Sequence, residues 1–171
     1  MEKTPQTLIG FNLYRGTDNK MVGIANITLP EVAMMTITTS GAGIAGEIDT
    51  PILGNFGSMQ TEIATQVLYD SNFSLMDLKG ELLTARGSIQ IQDPATGGLG
   101  SQRIRVIIGG MPVSLNLGSM APAAAMDSSN TLETTYLKIF IDDKEKLEID
   151  KLNYVYRVNG VDLLEEVKKG M

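Results

Sequence analysis

The chain has 171 residues, 43% of them apolar, and a net charge of −6, which fits one folded domain over residues 1–171 and argues against disorder. It has no cysteine and no histidine. Disulfides, thiol catalysis and thiolate zinc are excluded, and the commonest general base and transition-metal ligand are missing, so no cofactor or metal is expected.

Residues 1–7 are polar and lack the apolar stretch of a signal peptide, and no apolar run is long enough to span a bilayer; synthesis and folding in the cytoplasm are expected. From Ile24 onward the dominant period is two. Ala25, Ile27 and Leu29 alternate with Asn26 and Thr28. Val32 to Thr39 differs, with uncharged Met, Ile, Val or Thr on both faces, and is expected to be covered on both sides or to join a larger sheet. Gly41 to Gly57 is rich in glycine and reads as a flexible turn region. In Ser58 to Leu68, Met59, Ile63 and Val67 oppose Gln60, Glu62 and Gln66.

Ser74, with Asp77 three residues on, resembles a capping box ahead of Leu75, Leu78 and Leu82, which predicts the main helix, weakened at Gly80. Alternation returns in Arg86 to Gln92, in Arg103 to Ile108, at Val113, Leu115 and Leu117, and at Leu137, Ile139 and Ile141. Leu117 to Asn130 reads as a small-residue loop. Asp162 and Glu165 predict a short final helix, with Lys168 and Lys169 at its C-terminal end and Gly170 as its stop. The fold class is mainly β, a β-barrel or sandwich with one main α-helix packed on it.

Charge is distributed unevenly. Between Lys20 and Lys79 there is no lysine or arginine, while Glu31, Glu47, Asp49, Glu62, Asp70 and Asp77 fall inside. Such a segment repels a polyanion and reads as a DNA-averse surface.

Several motifs dissolve on inspection. Gly41-Ala-Gly-Ile-Ala-Gly46 has the letters of a dinucleotide fingerprint, but the acids, Pro51 and glycines that follow cannot open the helix a pyrophosphate needs. Asp49-Thr50-Pro51 lacks the glycine and second carboxylate of an aspartic protease. Asp142, Asp143 and Glu145 have no EF-hand spacing and read as a polar hairpin loop. No catalytic, cofactor-binding or metal residue is assigned.

Two blocks of sequence carry a family signal. Near the start stand Asn12-Leu-Tyr14 and Met21-Val-Gly-Ile-Ala-Asn-Ile-Thr-Leu-Pro30-Glu-Val; near the end stand Tyr136-Leu-Lys-Ile-Phe-Ile-Asp142, Leu147-Glu-Ile-Asp150 and Tyr156-Arg-Val-Asn-Gly-Val-Asp162-Leu. In order and spacing the chain resembles the major tail tube proteins of contractile-tailed phages and R-type bacteriocins. Residues 97–118 match poorly.

The resemblance implies hexameric rings that stack into a hollow tube, with extended hairpins joining neighbours into a tube-lining barrel. It implies as partners further copies of the chain, a tail sheath protein, baseplate and tail terminator proteins, and a tape-measure protein. In a phage, DNA would pass through without specific binding. Combined with the charge pattern, it makes Glu31, Glu47, Asp49 and Glu62 candidates for lining the lumen. It makes Val32, Met34, Met35 and Ile37 candidates for an inter-subunit strand, and Gly41, Gly43 and Gly46 for a stacking loop. Two other classes stay open on sequence alone. One is a β-sandwich adhesin or carbohydrate-binding module, disfavoured by the absence of tryptophan. The other is an enzyme with paired carboxylates drawn from Glu47, Asp49 and Glu62.

Overall fold

A computed structural model describes residues 2–16, 19–77, 80 and 82–171. The strands are β1 (Thr4–Arg15), β2 (Asn19–Met21), β3 (Ile24–Thr28), β4 (Met34–Ser40), β5 (Glu47–Phe56) and β6 (Gln60–Thr65). After α1 (Asp70–Ser74) come β7 (Leu83–Gln92), β8 (Leu99–Asn116), β9 (Ser128–Ile141), β10 (Lys144–Asp150), β11 (Val155–Val158) and β12 (Val161–Asp162), and α2 (Glu165–Lys169) closes the chain. The mainly β expectation is borne out.

Ten strands form one sheet in the order β12-β11-β10-β9-β8-β7-β1-β2, with β6 and then β3 branching from β9. The branch arises because β9 is long. Its first half, Ser128–Glu133, pairs with β6, and its second half, from Tyr136, pairs with β10. β8 lies along its other edge. The branch folds back, so that Ile27 and Leu29 meet Leu8, Phe11, Ala85, Ile104 and Val106 over a slot of about 110 Å³. Among the described residues, β3 pairs with β6 alone. The ladder therefore curls towards a barrel without closing into one.

Alternation fixes the register. Met59 and Ile63 are fully buried with Leu13, Leu83, Val106, Ile108, Leu132, Leu137 and Ile149. A one-residue slip of β6 would bury Glu62 and expose Ile63, losing about 1.5–3 kcal/mol at the isoleucine alone. The β9–β10 turn is Asp142-Asp143, with φ of 50° and 61°, and the β11–β12 turn is Asn159-Gly160, with φ of 52° and 80°. Two positive φ values are what a two-residue hairpin with matching twist demands. The acidic trio at 142–145 is thus a hairpin, as its polarity suggests.

Three local expectations change. The region 47–57 is not a turn: Glu47–Phe56 is strand β5, because the glycines cluster at its end, where three-residue slippage between Met34↔Phe56 and Thr36↔Pro51 makes a bulge around Gly54 (φ 78°). Ser74 ends a helix instead of capping one. Asn72 draws the helix start forward by accepting the Tyr69 N–H at 3.0 Å, and the chain then tightens through Met76 N–H to Phe73 O at 3.1 Å and Asp77 N–H to Ser74 O at 3.2 Å. Leu75 is buried but Leu82 is 45% exposed, so no single apolar face runs through them; Leu78 lies outside the described residues. The second helix forms with Gly170 at its C-terminal end, but Asp162 does not cap it: Leu164 takes the N-cap position without a side-chain cap bond, and Asp162 Oδ1 instead accepts the Leu164 N–H at 3.0 Å in the turn before the helix.

Candidate functional site

The site is a face and a projecting hairpin. On β6 the core takes Thr61, Ile63 and Thr65, so Gln60, Glu62 and Ala64 point away from it. Cross-strand partners share a face. Glu62 therefore sits between Thr28 of β3 and Thr131 of β9, and Gln60 and Ala64 sit beside Glu133 and Ser129. On β8 the row continues with Met111 beside Glu133, Ser114 beside Thr131 and Asn116 beside Ser129. Mostly polar side chains and two carboxylates, with Ala64 and the exposed Met111 among them, cover four antiparallel strands.

Glu133 is tethered. It accepts the Ser58 hydroxyl at 2.8 Å and the Met59 N–H at 3.2 Å, and Lys151 Nζ stands 3.9 Å away. Sequence reasoning missed this residue, although its signal was present. A second run without lysine or arginine extends from Val106 to Leu137 and holds only Asp127 and Glu133 as charges. Pairing of β6 with β9 lays the two cation-free runs side by side. Sequence inspection had no reason to join segments so far apart in the chain.

The four-strand unit β3-β6-β9-β8 has two unpaired edges among the described residues. One is the outer edge of β3. The other is Gly110–Asn116 of β8, because the β7–β8 ladder stops at Leu83↔Ile108. Pro112, which has no N–H to give, is tolerated at such an edge.

β4 and β5 form a separate two-stranded sheet that projects from the body. Thr38 and Ser40 lie opposite Asp49 and Glu47, so one face is polar and acidic. Thr38 Oγ1 donates to Asp49 Oδ1 at 2.7 Å. Ile37 and Thr39 lie opposite Thr50 and Ile48 on the other face. Met35, Ile37 and Ile48 are more than half exposed, so the covering anticipated for this strand is absent in a single copy. Glu31 and Val32 lie exposed in the β3–β4 connection, and Met34 is half-buried opposite Phe56. Gly41, Gly43 and Gly46 shape the hairpin tip with φ of 144°, 92° and 109°, values that side chains rarely adopt. The structure thus brings Glu47 and Asp49 onto one hairpin face and sets Glu62 on the body.

Across the core lies a face of paired charges of both signs. Lys138 bridges Glu148 at 3.4 Å, and Arg157 reaches the same carboxylate at 3.2 Å. Burial, followed by the nearby charges of Glu148, Asp150 and Glu145, pushes the Tyr136 phenol above its ordinary pKa. Asp142 is held below its ordinary value, chiefly by the Arg103 N–H and then by the Gln102 amide. Among the described residues, no three Asp or Glu side chains converge as a metal site would require.

The family described as phage tail tube protein FII matches residues 5–171. The major tail tube protein of Serratia phage KSP20 is 24% identical over 159 residues, covering 93% of this chain and 91% of that protein. The tail tube protein of Escherichia phage P2 is 25% identical over 155 residues, covering 87% of each chain. Among solved structures, the sheath/tube terminator of an extracellular contractile injection system superposes with a TM-score of 0.52 at 15% identity. That match covers 77% of this chain and 94% of the other, a likeness of fold.

Proposed function

Taking as premise that the chain belongs to the phage tail tube protein FII family, we propose that its copies join side by side into hexameric rings, and the rings into a tube whose bore is the polar face of β3-β6-β9-β8. The family is structural, and the role is that of a tail tube subunit. The observation that carries the bore assignment is the meeting of the two cation-free runs on one face. Glu62 lies at its centre, and Glu31, Glu47 and Asp49 extend the same negative sign along the β3–β5 segment. A bore of this composition repels phosphate, so DNA slides without sticking.

The free edges supply the lateral joint. Four antiparallel strands per copy is an even number, so the outer edge of β3 in one copy meets the β8 edge of the next antiparallel, whatever the number of copies. Head-to-tail closure of this kind leaves no edge exposed. The hairpin β4–β5, apolar on one face and unsupported in a single copy, then gains cover from a neighbour, and its glycine tip orders where rings stack. A surrounding tail sheath, with terminator, baseplate and tape-measure proteins at its ends and interior, completes the reading.

The test is Ile37→Asp. It places a charge on the apolar hairpin face, outside the core, so the monomer should keep its melting temperature and circular dichroism spectrum. Negative-stain images should lose the rings and tubes formed by the parent chain. Tubes of normal length from this variant, or a parent chain that stays monomeric at high concentration, would refute the assembly reading.

A further inference from the structure

The outward face of β1, β7 and β8 carries a groove of about 530 Å³, lined by Gly10, Asn12, Arg86, Ser88, Arg103 and Arg105 among others. Its depth comes from Gly10 and Ser88, which lie opposite each other and leave the floor low. Its rims are arginines. Arg86 and Arg105 are direct cross-strand partners on the same face, an arrangement of like charges that destabilises a sheet when nothing neutralises it.

Both guanidiniums are held by aromatic rings: Arg86 lies 4.8 Å from the centre of the Tyr14 ring and Arg105 lies 4.2 Å from that of Phe140. Arg105 Nε is buried without a hydrogen-bond partner. Arg103 bonds Asp143 at 2.7 Å, and both are largely exposed. Lys138, which also faces Phe140, is engaged by Glu148 and Glu145. Among the described residues, no carboxylate pairs with Arg86 or Arg105. Three guanidiniums thus meet one carboxylate, in a chain whose net charge is −6.

We infer that this groove is a docking site for an acidic segment of another protein, with two neighbouring carboxylates seated on Arg86 and Arg105. Two forks on adjacent strands lie about 5 Å apart at Cβ, which matches carboxylates one turn apart on a helix, and planar guanidinium suits carboxylate in bidentate fashion. Two or three cations are too few to hold a nucleic acid against the chain's own negative charge. The direction from which the partner comes rests on the bore reading above. Ala85, Ile104 and Val106 alternate with the arginines and pack against Ile27 of β3, so the groove lies across the core from the bore face. Its occupant therefore packs around the tube from outside.

The experiment titrates a short, fluorescently labelled oligoglutamate peptide against wild-type monomer and wild-type tubes, with labelled single-stranded DNA as the phosphate arm. Arg86→Ala/Arg105→Ala should weaken peptide binding about 10-fold or more, while tubes still form and the melting temperature does not fall. Gly10→Leu, at a position where an added Cβ meets nothing within 4 Å, should block the groove without changing its charge and weaken binding as well. Unchanged peptide binding in both variants overturns the proposal, as does preference for DNA. Loss of tubes by a folded double-alanine variant also overturns it, because the groove would then serve contacts between copies. A wild type that makes no tubes contradicts the bore reading, and the monomer titration still judges the groove.

Discussion

Replacing Asn72 with alanine should be among the most damaging single changes available in this chain. Asn72 is fully buried. Its Nδ2 donates to Asn130 Oδ1 at 2.7 Å and to Thr65 Oγ1 at 3.1 Å, and its Oδ1 accepts the Tyr69 N–H at 3.0 Å. Alanine leaves two groups without partners, the Asn130 carbonyl oxygen and the Tyr69 N–H. Thr65 keeps Ser128 O as an acceptor at 3.4 Å. Each orphaned buried group costs about 1–3 kcal/mol. The Asn130 oxygen is sealed, whereas Tyr69 is partly open to water, so a total of about 3 kcal/mol is expected, before any cavity is counted. For a chain of this size that is a fall of roughly 6–12 °C in melting temperature. Urea unfolding of the dilute, unassembled protein, followed by circular dichroism, measures it, since assembly would tie stability to concentration. A loss below about 1 kcal/mol would refute the claim that this network pins α1 to the strands beneath the polar face.

A companion pair tests the same logic with the opposite outcome. Thr61 and Thr134 are buried and share one hydrogen bond of 2.7 Å, so Thr134→Val alone should cost about 1–2 kcal/mol, while Thr61→Val/Thr134→Val should be nearly neutral; additive losses in urea midpoints would contradict it. Gly118→Ala would set a methyl group on the Met126 carbonyl oxygen at a φ of 79°, and a loss of about 2–4 kcal/mol is expected by the same assay; an unchanged midpoint would mean that the loop shifts freely. Asp142 has a folded pKa lowered from 3.8, so its contribution is complete above that value and disappears as pH falls through the lower folded one. The stability difference between the parent and Asp142→Ala should therefore be constant near neutrality and shrink in acid; a difference that persists unchanged at the lowest pH would contradict it.

What could be read from sequence follows from the range of each signal. Ile63, Val106, Ile108 and Leu137 announce their strands because period two is a local property, and all four are buried as expected. The turn at Asn159-Gly160 is local too. β5 was hidden because glycine and proline composition outweighed the alternation of Ile48, Thr50 and Ile52, and Pro51 sits acceptably in a strand that, among the described residues, is paired on one edge. The helix was misplaced because Ser74 offers a cap whose competitor, Asn72, owes its strength to Asn130, a residue distant in sequence. The candidate face was half legible. Glu62 stood out through the first cation-free run, but Glu133 joins it only through β6–β9 pairing. The arginine groove was not legible at all, because Arg86 and Arg105 belong to different strands whose register no local pattern fixes.

The central claim is that the face of β3-β6-β9-β8 on which the two lysine- and arginine-free runs meet lines a bore built from many copies. A cryo-electron microscopy reconstruction of tubes assembled from the purified chain tests it most directly. Glu62, Thr28 and Thr131 should face the channel, with Arg86 and Arg105 on the outer wall. A map with the arginines inside and Glu62 outside, or one in which β3 and the Gly110–Asn116 edge of β8 meet no neighbour, would contradict the account.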